Sequence, residues 1–124
     1  MSKRILLIDD DRLVVKSLQM LLSQAGYAVD PAESGKEALN LIKENIFDLI
    51  ISDIKMPDTN GVETAKLIEE HYKKIGKSVP IIFITGYPGE KITDEAQKLN
   101  PADFIYKPFD KEEFLNAIAI AIKK

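Results

Sequence analysis

Short apolar runs alternate with amphipathic stretches along the whole chain. Ile5-Leu6-Leu7-Ile8, Leu49-Ile50-Ile51 and Pro80-Ile81-Ile82-Phe83-Ile84-Thr85 are continuous runs bounded by acids or chain breakers. That is the pattern of strands buried on both faces. Tyr27 to Pro31 and Phe104-Ile105-Tyr106 read as two shorter strands. Between these runs the hydrophobic positions recur at helical spacing. Val14, Leu18, Leu21, Leu22 and Ala25 predict a first helix stopped by Gly26. Ser34-Gly35-Lys36-Glu37 is a capping-box pattern ahead of Ala38, Leu41 and Ile42. Met56-Pro57 to Gly61 reads as a loop, and Gly61, Ala65, Ile68 and Tyr72 share one face of a third helix. Gly86, Pro88 and Gly89 break the chain after the fourth strand. A shorter helix is expected over about Thr93 to Leu99, with Ala96 and Leu99 inward. Asp110-Lys111-Glu112-Glu113 is a second cap-like pattern that opens the last helix.

Strands alternating with helices in this way predict a parallel sheet covered on both faces. Ligand sites in such sheets lie beyond the carboxyl ends of the strands, so chemistry-bearing residues belong just after the apolar runs. Asp9 and Asp10 follow the first run, Asp53 the third and Lys107 the fifth, while Thr85 ends the fourth. Carboxylates gathered at one edge repel, and one of them would prefer to be protonated. A hard divalent cation removes that conflict, and an oxygen-only ligand set suits Mg²⁺. Three carboxylates are then balanced by one Mg²⁺ and the Lys107 ammonium. A carboxylate held in that balance is placed to attack phosphorus. Phosphoryl transfer asks mainly for such positioning and charge stabilisation.

The totals narrow the field further. A chain of 124 residues fits one domain, here taken as residues 1–124, and it is long enough to bury a core without staples. With 45% hydrophobic and 30% charged residues it has a globular composition, and a net charge of −3 leaves no footprint for nucleic acid. The absence of cysteine excludes disulfides, thiolate metal sites and a cysteine nucleophile. No apolar run approaches the roughly 18 residues that span a bilayer. The apolar stretch after Met1-Ser2-Lys3-Arg4 is too short for a signal peptide. A cytoplasmic location without membrane contact is therefore expected.

Ile8-Asp9-Asp10, Asp53-Ile54-Lys55-Met56-Pro57 with Gly61, Thr85-Gly86 and Lys107-Pro108-Phe109, in that order, resemble the receiver domain of response regulators in two-component signalling. The resemblance covers essentially the whole chain. It implies a doubly wound (βα)5, flavodoxin-like three-layer sandwich with a parallel sheet of order 2-1-3-4-5. It implies that Asp53 accepts a phosphoryl group from a sensor histidine kinase or phosphotransfer protein. Asp10 is then a direct Mg²⁺ ligand, Asp9 acts mostly through water, and the backbone carbonyl of Lys55 joins them and Asp53. Thr85 and Lys107 would hold phosphoryl oxygens, Phe104 would move with Thr85 as the switch, and the Lys107-Pro108 peptide would be cis. Output would pass through the face of helix 4, strand 5 and helix 5 to an effector protein or domain, or to a second copy in a homodimer. Lys55 and Tyr87, two residues after Asp53 and Thr85, would tune dephosphorylation. The domain is then a switch that assists its own phosphorylation and dephosphorylation rather than an enzyme. Asn100-Pro101-Ala102-Asp103 and the long connection from Tyr72 to Val79 depart from the family pattern away from the pocket.

Other readings compete. Asp11 reads best as a helix N-terminal acid. Phe104 reads as partly core, and His71, the one histidine, as a surface residue. The last helix carries too many apolar residues for one stripe, so part of it is expected to be exposed. A haloacid-dehalogenase-like Mg²⁺ phosphohydrolase would want a second acid where Lys55 stands. A nucleotide-binding flavodoxin-like module would want a glycine-rich loop where Asp9-Asp10-Asp11-Arg12 stands. A receiver used only as a scaffold, never phosphorylated, would not need the full set of five site residues.

Overall fold

The apolar runs pair side by side. In the computed structural model, residues 3–54, 60–86 and 91–123 are described. The order is β1 (Arg4–Ile8), α1 (Arg12–Gln24), β2 (Ala28–Ala32), α2 (Gly35–Glu44), β3 (Leu49–Asp53), α3 (Gly61–Lys74), β4 (Ile81–Thr85), α4 (Lys91–Gln97), β5 (Asp103–Tyr106) and α5 (Lys111–Lys123). The strands form one parallel sheet of order β2-β1-β3-β4-β5, as the resemblance implied. Alternation along each strand feeds two apolar layers. Leu6, Ile8, Ile50 and Phe83 pack with Ala38 and Ile42 of α2, Val62, Ala65, Ile68 and Tyr72 of α3 and Ala96 of α4. Ile5, Leu7, Leu49, Ile51, Ile82 and Ile84 pack with Val15, Leu18 and Leu22 of α1 and Phe114, Ala117, Ile118 and Ala121 of α5. Each large aliphatic or aromatic side chain so buried contributes roughly 1.5–3 kcal/mol.

The helix ends follow the sequence signals closely. Asp11 caps α1, its carboxylate accepting from the Leu13 and Val14 N–H groups, and Gly26 follows the helix at φ +97°. Ser34 Oγ accepts from the Glu37 N–H at 3.1 Å, while the Glu37 carboxylate reaches back to the Glu33 N–H, one residue earlier than in the usual reciprocal box. Asp110 accepts from the Glu113 N–H at 2.7 Å.

Some details differ from expectation. Val15, not Val14, leads the buried stripe of α1, and Ala25 is exposed as the C-cap. Leu99 lies beyond α4 and is partly buried in a turn whose Asn100 takes φ +53°. Asparagine tolerates that left-handed conformation better than most side chains, which is how this departure from the family pattern is accommodated. The connection after Tyr72 closes with Lys77 N–H on the Tyr72 carbonyl at 2.8 Å and Gly76 at φ +72°. His71 is half-buried rather than fully on the surface, edge-on to Tyr72. Ile120 of α5 is 59% exposed, the excess apolar surface expected of that helix.

Candidate functional site

The strand ends bring the acidic residues together. Asp9 leaves β1, and its N–H is tied to the Ala32 carbonyl at the end of β2, 3.0 Å away. Asp53 is the last residue of β3 itself, one step further into the strand than the apolar run suggested. Ligand oxygens of Asp9, Asp10 and Asp53 all lie within 4.8 Å of one another. Asp10 is exposed, whereas Asp9 and Asp53 are buried. Lys107 follows β5, its N–H bonded to the Thr85 carbonyl at 2.8 Å. Its Nζ stands 3.8 Å from Asp53 Oδ2 and 3.9 Å from Asp9 Oδ2. Thr85, fully buried, closes β4 beside it, and the Lys107-Pro108 peptide is cis.

The charges are in conflict. Burial pushes the Asp9 carboxyl up from 3.8 to about 6, and the carboxylates of Asp53 and Asp10 push the same way. The hydrogen bond from the Asp11 N–H and the Lys107 ammonium oppose this without cancelling it. An octahedral Mg²⁺ with ligands at about 2.0–2.1 Å sets opposite oxygens just over 4 Å apart and usually keeps several waters. A triad spanning 4.8 Å fits such an ion with small adjustments or one ligand through water.

Phe104 is half-buried, tilted against Phe83 at 5.9 Å and Tyr106 at 5.3 Å between ring centres. Lys55, Met56, Pro57 and Tyr87 lie outside the described residues. Two residues bear on the site in ways the sequence reading missed. Gly61, read there as a loop end, a helix-face position and part of the motif behind Asp53, packs against the Asp53 and Ile54 backbone so closely that a Cβ would collide with the Asp53 carbonyl oxygen. Ser52, passed over, donates from its hydroxyl to that same carbonyl at 2.8 Å. Only the Ser-Asp order at the end of an apolar run hinted at the second.

The model of the response regulator receiver domain matches residues 5–119. The chain belongs to the response-regulator receiver family. Response regulator protein TodT of Pseudomonas putida is 33% identical over 119 residues, 96% of this chain and 51% of TodT. The CAI-1 autoinducer sensor kinase/phosphatase CqsS of Vibrio cholerae is 36% identical over 95% of this chain and 17% of its own length. The chain thus spans about half, or less, of the curated relatives it matches. A CheY-like receiver domain protein from Methanospirillum hungatei superposes with a TM-score of 0.90 at 28% identity, covering 99% of this chain and 95% of that one. The non-phosphorylated HemR receiver domain from Leptospira biflexa gives 0.87 at 35% identity, covering 99% and 96%. Receiver domains are signalling domains of two-component systems; they pair with sensor kinases and effector domains and bind Mg²⁺ at an acidic pocket. Among the described residues no helix is long and apolar enough to cross a membrane.

Proposed function

We propose that this receiver domain accepts a phosphoryl group on Asp53 in a Mg²⁺-dependent reaction and passes the change to a partner. The observation that carries the reading is the meeting of three carboxylates within 4.8 Å with the Lys107 ammonium 3.8 Å from Asp53. A carboxylate oxygen of Asp53 forms the new O–P bond while the N–P bond of a donor phosphohistidine breaks, its electron pair staying on the imidazole nitrogen. Mg²⁺, held by Asp10, Asp53, the Lys55 carbonyl and, mostly through water, Asp9, would spread the charge of the transferring oxygens. Lys107 pairs with one of those oxygens and the Thr85 hydroxyl donates to another. The product carries roughly one extra negative charge. Thr85 and Phe104 respond together and reshape the face of α4, β5 and α5, where Tyr106 and Ile120 are exposed for an effector or a second copy. Lys55 and Tyr87 set the lifetime of the phosphoryl group by screening it from water. The domain acts in the cytoplasm as a stoichiometric switch and not as an enzyme.

A phosphoryl donor on another protein must cover the surface beside the pocket. Leu13, Val14, Leu18 and Leu21 of α1, with Pro108 and Phe109, line an apolar groove of about 470 Å³ that also touches Lys107. Leu13 there is 78% exposed, which suits a covering partner. The test is incubation with acetyl phosphate and Mg²⁺, followed by intact mass. A gain of one phosphoryl group, lost in Asp53→Asn and on chelation, is expected. Uptake that survives Asp53→Asn would overturn the assignment.

A further inference from the structure

Ser52 stands where an aliphatic residue would pack more cheaply. In register it is flanked by Ile8 on β1 and Phe83 on β4, both fully buried, and it is itself 2% exposed. A hydroxyl in such a place is costly unless it is hydrogen-bonded. It spends its hydrogen on the carbonyl of the next residue, Asp53, at 2.8 Å. The carbonyl after that, of Ile54, accepts the Gly61 N–H at 2.6 Å. Two successive carbonyls are therefore held by two separate donors at the end of β3. Gly61 presses on the same peptide from the side, since a Cβ there would also come within 2.9 Å of the Ile54 Cα.

We propose that Ser52 is a positioning residue for phosphoryl acceptance, acting through the Asp53 carbonyl on the aim of the Asp53 carboxylate. The inference rests on the reading of Asp53 as phosphoacceptor. The peptide unit is planar, so fixing the Asp53 carbonyl oxygen fixes the rotation about the Cα–C bond of Asp53. The carboxylate springs from that same Cα. A nucleophile misplaced by an ångström can lose up to about a hundredfold in rate. Loss of one of the two carbonyl anchors, with Gly61 still in place, should cost less, on the order of five- to twentyfold.

The experiment compares wild type with Ser52→Ala, Ser52→Val and Ser52→Thr, using acetyl phosphate, Mg²⁺ and intact mass, with urea unfolding as the control for folding. Threonine keeps the hydroxyl and suits a strand; valine has its shape without the donor. Ala and Val are expected to lower the limiting phosphorylation rate by the stated factor with half-saturation by acetyl phosphate unchanged, because aim matters in the transition state and not in donor binding. Thr is expected to stay within about twofold of wild type. Folded Ser52→Ala reacting at the wild-type rate would overturn the role of Ser52 and leave Asp53 untouched. So would Thr falling together with Val. If Ala and Val fail to fold while Thr folds, the hydroxyl serves stability and the proposal is wrong. A wild-type domain that takes up no phosphoryl group would instead overturn the reading of Asp53.

Discussion

Asp9 carries its charge where burial disfavours it, and the consequence is measurable without a phosphoryl donor. The residue is 2% exposed, and burial pushes its carboxyl up from 3.8 to about 6. Below about pH 3 the group is protonated in both the folded and the unfolded chain, and nothing is lost. As pH rises from there toward 6, the unfolded chain releases the proton while the folded chain keeps it. The folded state then binds more protons, so its stability falls with rising pH. At roughly 1.4 kcal/mol per pKa unit the full loss is about 3 kcal/mol, complete above pH 6. Asp9→Asn removes the charge but keeps an oxygen that can accept the Asp11 N–H now held at 3.0 Å. Without metal at pH 7.5 this variant should be more stable than wild type by up to about 3 kcal/mol, on the order of 10 °C in Tm. Near pH 4.5 the gain should shrink to about 1 kcal/mol, and near pH 3 it should vanish. Added Mg²⁺ should stabilise wild type at pH 7.5 much more than at pH 5 and should stabilise the variant less at either. Urea unfolding at the two pH values, with Mg²⁺ or with chelator, measures all of this. An Asn variant equal to or weaker than wild type at pH 7.5 without metal would refute the reasoning. So would a difference independent of pH.

Gly61→Ala should destabilise the domain by about 1–3 kcal/mol in urea unfolding, because the added methyl meets the Asp53 carbonyl oxygen and the Ile54 Cα. Tyr72→Phe deletes the hydroxyl that accepts the Phe47 N–H at 2.9 Å in the core. It should cost about 1–3 kcal/mol with an unchanged denaturant slope. Lys107→Met removes the ammonium near Asp9 and Asp53, so an NMR titration of the Asp9 carboxyl should move further above 6.

The elements were legible wherever one signal dominated. Continuous apolar runs marked β1, β3 and β4 because both faces of those strands are buried. Edge strand β2 was harder: Asp30 and Pro31 interrupt it, and it runs Ala28–Ala32, one residue later than expected. In α1 the helical spacing of Val14, Leu18, Leu21 and Leu22 was legible, but Val14 and Leu21 lie at the margin of the stripe, partly buried beside Val15, Leu18 and Leu22. The acidic triad was legible because strand ends share an edge, so Asp9 and Asp53 could be brought together from topology alone. Ser52 was not, and Gly61 was legible as part of the motif behind Asp53 but not by what it touches. Their effect on Asp53 runs through backbone carbonyls, and backbone contact leaves no side-chain pattern to read. Tyr72 likewise looked like one more apolar position on a helix face. Its hydroxyl serves the Phe47 N–H, 25 residues away in sequence.

The same backbone ties explain why the pocket keeps its charge conflict instead of relaxing it. Asp9 is anchored by its N–H to Ala32, Lys107 by its N–H to Thr85, and the chain leaving Asp53 by the Gly61 N–H on Ile54. Each bond joins a residue at the site to a different neighbouring element, so the backbone that carries Asp9, Asp53 and Lys107 cannot spread without breaking main-chain hydrogen bonds. Lys107 offers one positive charge at 3.8 and 3.9 Å, beyond hydrogen-bond reach of either carboxylate. A proton on Asp9, which burial favours, or a divalent cation would relieve the conflict. On the proposed reading the first would win at low pH and the second at neutral pH, so Mg²⁺ would compete with a proton for the pocket.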